Sequence, residues 1–124
     1  LSAVLEKKRL RDLAAERLHA LETELDSARR AQLALVPRNF AVLSDPRLAV
    51  AAHMEPAREV GGDLYDLLPL GPDHLLFVVA DVAGKGAPAG MTMARCFGLI
   101  RAAARQAVAE GRVPDPGMLL AQAN

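Results

Sequence analysis

The chain has 124 residues, and its fifteen Lys and Arg are matched by fifteen Asp and Glu. No general field draws nucleic acid or an anionic membrane surface, and no apolar run approaches the roughly 18 residues of a membrane span. This length accommodates one small domain plus an appendage. Charges begin at Glu6, so no cleavable secretory signal is expected, and the single Cys96 cannot close an internal disulfide. Both features fit a reducing compartment, and the expected location is the cytoplasm. Cys96 itself reads as a small apolar residue on a helix.

Residues 2–35 contain neither Gly nor Pro and are rich in Ala, Leu, Glu and Arg, so they should form a helix. Ala14, Leu18, Leu21, Leu25, Ala28, Gln32 and Leu35 recur in a four-three alternation, with Gln32 as a tolerated polar residue. With Leu18 at a and Leu21 at d, Arg17 and Glu22 occupy g and the following e, and Glu24 and Arg29 repeat the relation with signs reversed. Such pairs face each other across a parallel two-stranded coil, which favours a homodimer through this helix. Lys7 and Arg11 break the seam toward the N-terminus. The other reading is an amphipathic helix packed on its own domain. Pro37 stops the helix, dividing the chain into a linker helix, residues 1–37, and a domain, residues 38–124. Ser44-Asp45-Pro46 marks a further break, and Leu48–Met54 reads as a buried strand in which His53 is structural.

Two acidic clusters follow, Val60-Gly61-Gly62-Asp63-Leu64-Tyr65-Asp66 and Ala80-Asp81-Val82-Ala83-Gly84-Lys85-Gly86. Between them lie the apolar runs Leu64–Leu70 and Leu75–Ala80, separated by Gly71-Pro72-Asp73-His74, a strand–turn–strand pattern. If Gly71–Asp73 is the loop, Leu70 faces His74, and counting outward sets Asp63 opposite Asp81. Directly opposed antiparallel residues sit roughly 4.5–5.5 Å apart at Cα. Two carboxylates that close repel, so a shared proton, a basic side chain or a divalent cation must offset them. Lys85 lies between glycines and is expected to point elsewhere; a hard cation with oxygen ligands fits best, and the glycines let a backbone carbonyl approach it. Asp66 reads as a strand anchor or a holder of ligated water, and Glu59 as a surface or hydrogen-bonding residue. A phosphate-binding P-loop is excluded, since Val79 and Gly86 stand where it needs Gly and Ser or Thr.

Pro88 suits the first turn of a helix running to about Glu110, with Gly111 as its stop. Met93, Phe97, Ile100, Ala104 and Val108 form its apolar face, with Arg95, Arg101 and Arg105 largely off it. The glycine loop before it offers amides for a phosphate. Asp115 should cap a last short helix from Pro116 through Met118, Leu119 and Leu120.

Pro56-Ala57-Arg58-Glu59-Val60-Gly61-Gly62-Asp63-Leu64-Tyr65-Asp66, followed by Asp81-Val82-Ala83-Gly84-Lys85-Gly86-Ala87-Pro88-Ala89, resembles the signature of bacterial metal-dependent (protein phosphatase 2C-like) protein phosphatases. The branch is that of stage II sporulation protein E and the partner-switching regulators of sigma factors. Ala83 stands where the second motif usually has serine, and the resemblance runs from about Ala28 to Asn124. It implies hydrolysis of phosphoserine or phosphothreonine by water activated between two Mn²⁺ or Mg²⁺ ions. Asp63 and Asp81 are then the catalytic metal ligands, with the Val82 carbonyl as a backbone ligand. The implied substrate is a phosphorylated anti-sigma-factor antagonist. The implied fold is α+β, a long N-terminal linker helix followed by part of an antiparallel αββα phosphatase sandwich. The family completes its site with aspartates from a later segment, whereas the acids after Asp81 are Glu110 and Asp115, both at helix ends. The expectation is the N-terminal part of a phosphatase domain, inactive alone; the alternative is a non-catalytic dimerisation or regulatory module coupling an upstream sensor to a phosphatase core.

Overall fold

The structure, a computed structural model, describes residues 2–40, 45–55 and 60–124. Ser44 and Glu59, to which the sequence reading gave roles, lie outside the described residues. The architecture is α+β: helix α1 (Ser2–Leu33), strands β1 (Asp63–Pro69) and β2 (Leu75–Asp81), then helices α2 (Ala87–Ala109) and α3 (Pro116–Ala123).

Helix α1 buries none of its residues: Leu18, Leu21 and Leu25 are 59%, 57% and 42% exposed. Over these three leucines the seam therefore does not pack on the chain's own domain. Only near its C-terminal end, at Arg29, Gln32 and Leu33, are side chains half-buried. The Arg30–Asp26 pair at 2.9 Å is exposed and adds a few tenths of a kcal/mol at most.

Strands β1 and β2 form a two-stranded antiparallel sheet. Gly71 takes a positive φ of 109° in the turn, and Leu70 N–H donates to His74 O at 2.8 Å. That closure sets the register from Pro69 opposite Leu75 to Asp63 opposite Asp81, as the turn residues predict. A lone hairpin is marginal in water, so one face must be covered. Leu64 packs with Met93 and Phe97 of α2, joined by Val78, Ala80 and Val82. Farther along α2, Ile100 and Ala104 meet Leu119 of α3 together with Leu68, Leu70 and Leu76.

The buried face of α2 continues its four-three spacing to Ala107, leaving Val108 exposed instead of buried. The helix ends in a Schellman arrangement: Gly111 has φ 71°, its N–H donates to Val108 O at 3.0 Å, and Arg112 N–H donates to Ala107 O at 2.9 Å. Asp115 caps α3 by accepting from Met118 N–H at 2.9 Å. Of the α3 residues, Leu119 alone is buried, while Met118 and Leu120 are exposed. Cys96 is half-buried with its Sγ 3.9 Å from Ala123 O, between the two helices.

Two further expectations need correction. The first is the strand over Leu48–Met54, which does not form; most of these residues are exposed coil. A strand persists only where a neighbour takes its N–H and C=O groups, and none does so among the described residues. The segment before it is instead tied to the hairpin turn. Arg47 holds Asp45 through Nη2–Oδ2 at 2.6 Å and donates to Pro72 O at 3.2 Å, and its guanidinium pulls the Asp45 carboxyl down to about 2.

The second correction concerns Arg101, which turns inward. Its Nε and Nη2 donate to Asp66 Oδ2 and Oδ1, both at 2.6 Å, while the guanidinium lies 4.5 Å above the Phe97 ring. Donating these hydrogen bonds to the Asp66 carboxylate raises the Arg101 pKa. Asp66 is 2% exposed and also accepts from Leu67 N–H at 2.8 Å. Of the two roles open to it, Asp66 has the anchoring one: it bolts β1 to α2. Asp66→Ala leaves a half-buried guanidinium unpaired and should lower stability by roughly 2–3 kcal/mol in urea denaturation. A loss below about 1 kcal/mol would show that the pair is not a main tie between strand and helix.

Candidate metal centre

The site is built on glycines. Gly62 O accepts from Val82 N–H at 3.1 Å, and a Cβ on Gly62 would lie 2.2 Å from the Val82 carbonyl oxygen. The Val82 carbonyl thus occupies the space a side chain would take, and only glycine permits it. Gly84 and Gly86, with φ of 109° and 74°, then swing the chain from β2 into α2. The Gly86 N–H donates to Val60 O at 2.9 Å, so this loop amide is already used and is not free for a phosphate. At Gly90 a Cβ would meet Val60 Cγ1 at 2.2 Å, which seats the start of α2 directly against the entry to β1.

On this frame Asp63 and Asp81 are direct partners, so they share one sheet face. It is the face opposite α2, shared with Tyr65, Leu67, Phe77 and Val79. Both aspartates are exposed. Neither carboxylate has an ion pair or side-chain hydrogen bond among the described residues, so Lys85 does not neutralise them. Among the described residues no group of three or more His, Cys, Asp or Glu is placed to hold a metal ion. The ligands expected from the sequence, two carboxylates and the Val82 carbonyl, are all hard oxygens, a type that suits Mg²⁺ or Mn²⁺ better than a soft ion. His74 sits in the turn at the opposite end of the hairpin, and His53 is exposed in coil.

Sequence reasoning missed one residue. Gln32, near the end of α1, donates from Nε2 to Gly61 O, and its Oε1 accepts from Gly61 N–H at 3.1 Å. The available signal was a carboxamide at an otherwise apolar heptad position. Nearby, Tyr65 Oη donates to Pro37 O at 2.8 Å and its ring lies 6.4 Å from that of Phe40. These contacts stitch the exit of α1 onto the hairpin beside Asp63. The contact at Gly62 predicts that Gly62→Ala pushes the Val82 carbonyl away and costs about 1–3 kcal/mol. Thermal unfolding of that variant checks this, and an unchanged midpoint would contradict it.

Comparison with known proteins bears on the same segment. The profile of the family described as stage II sporulation protein E (SpoIIE) matches residues 71–124, which takes in β2, the glycine loop, α2 and α3. Protein IcfG of Synechocystis sp. is 41% identical over 81 residues. The aligned part is 63% of this chain but 12% of that relative, so the chain spans a small fraction of the curated relative it matches. No solved structure matches. From the hairpin turn to Asn124, a stretch that includes the second of the two acidic motifs, the chain is similar to the family described as stage II sporulation protein E.

Proposed function

We propose that this chain is the N-terminal part of a metal-dependent phosphoserine/phosphothreonine protein phosphatase, with residues 38–124 belonging to the phosphatase domain and residues 1–37 forming its linker helix. The observation that carries the reading is the direct opposition of Asp63 and Asp81 on one exposed sheet face. The match to a phosphatase family supports it. So does the outer face of the hairpin, where Phe77 and Val79 are 70% and 81% exposed, as expected of a sheet that another layer covers in an αββα sandwich.

Asp63, Asp81 and the Val82 carbonyl would hold Mn²⁺ or Mg²⁺, two ions in the complete domain. When bound, such a pair of ions supplies an acidified water as nucleophile and neutralises phosphoryl charge. The chain's own residues supply the spacing. The closed turn sets the register, Asp66–Arg101 fixes β1 on α2, and Gly62 leaves room for the Val82 carbonyl at the strand entry. On the family resemblance alone, the substrate is assigned as a phosphorylated anti-sigma antagonist in a cytoplasmic partner-switching pathway. Balanced charge argues against a nucleic-acid partner, and no described helix is long and apolar enough to cross a membrane.

Two carboxylates and one carbonyl leave most of an ion's coordination to water, so this chain alone should turn over no phosphoprotein. Malachite-green assay of phosphate release from a phosphoserine protein with Mn²⁺ should read at the blank; release abolished by Asp81→Ala would contradict this. A second reading, a dimerisation or regulatory module coupling an upstream sensor to a phosphatase core, is favoured by the exposed Leu18, Leu21 and Leu25 of α1. The two readings are compatible in a longer protein. Sedimentation equilibrium at tens of micromolar should find a homodimer joined through α1, and a monomer would remove this reading.

A further inference from the structure

We propose that Gln32 is a positioning residue for the Asp63–Asp81 pair, its carboxamide fixing the glycine backbone through which β1 enters the site. This rests on the metal reading of that pair. One planar amide grips both sides of one residue: Nε2 donates to Gly61 O while Oε1 accepts from Gly61 N–H at 3.1 Å. Gly61 and Gly62 are the two residues before Asp63, and glycine is the residue whose backbone rotates most freely. Across the ribbon this entry is held at Gly62 O by Val82 N–H and at Val60 O by Gly86 N–H, and the Gln32 carboxamide adds a grip on the Gly61 between them.

The grip passes to the site in one step. Gly62 O accepts from Val82 N–H at 3.1 Å, and the Val82 carbonyl fills the space where a Gly62 side chain would stand. A shift at Gly61 therefore displaces Asp63 and the Val82 carbonyl together. The amide is not needed to finish α1, because the backbone closes that end itself: Ala34 N–H donates to Arg30 O at 3.1 Å and Leu35 N–H to Gln32 O at 3.0 Å. Nor does it serve an apolar seam, where leucine would pack better. Its hydrogen bonds to Gly61 account for a polar side chain at that position.

The test combines amide exchange and calorimetric Mn²⁺ titration on the whole chain as wild type, Gln32→Ala and Gln32→Glu. In Gln32→Ala the Gly61 and Val82 amides should exchange roughly tenfold faster, while the Leu70 amide at the turn end stays unchanged. Mn²⁺ affinity should fall several-fold in the same variant. Gln32→Glu keeps the acceptor for Gly61 N–H but has no donor for Gly61 O, so Gly61 protection should fall less than in Gln32→Ala. Unchanged exchange at Val82, equal acceleration at Leu70, or an unchanged Mn²⁺ affinity would each overturn the proposal. If the wild-type chain takes up no Mn²⁺, the metal reading fails by itself, and the contrast between Val82 and Leu70 still decides whether Gln32 positions the strand entry.

Discussion

Two like charges stand opposite each other at the open end of a short antiparallel ribbon, and everything around them serves to keep them there. Antiparallel register admits no half-steps: once Leu70 closes on His74, Asp63 has Asp81 as its partner on the same face. The repulsion this creates is not relieved by any basic side chain among the described residues. A ribbon that tolerates it must be held from outside. The Asp66–Arg101 pair holds it from the α2 side, the Gly62–Val82 contact across the strands, and Gln32 from the end of α1.

The division of labour among the acids follows from strand alternation. Asp63 and Asp66 are three residues apart in β1, so they point to opposite faces. Asp66 is driven into the helix interface, where only a bidentate guanidinium makes its burial tolerable. Asp63 is left on the open face, facing a second carboxylate and free to take an ion. One strand thus carries a structural carboxylate and a candidate chemical one, told apart by parity.

What could be read from the residues was whatever short-range chemistry decides. The turn at Gly71-Pro72-Asp73, the stop at Gly111 and the cap at Asp115 depend on neighbours a few residues away, and all three form as expected. What could not be read depends on distant partners. Leu48–Met54 has the composition of a strand, but a strand also needs a ladder. Arg101 sits beside the apolar stripe of α2, and counting faces misses that its guanidinium lies over Phe97 and reaches Asp66. Gln32 reads only as a tolerated polar residue in a heptad, because its partner, Gly61, is twenty-nine positions away.

The central claim is that the opposed aspartates form a cation site, and paramagnetic broadening tests it most directly. Mn²⁺ added at substoichiometric levels to the isotope-labelled chain should broaden the amide signals of Asp63, Asp81 and Val82 first. Asp63→Asn combined with Asp81→Asn should abolish that broadening. Broadening that is uniform, centred elsewhere on the surface, or retained in the double variant would contradict the account.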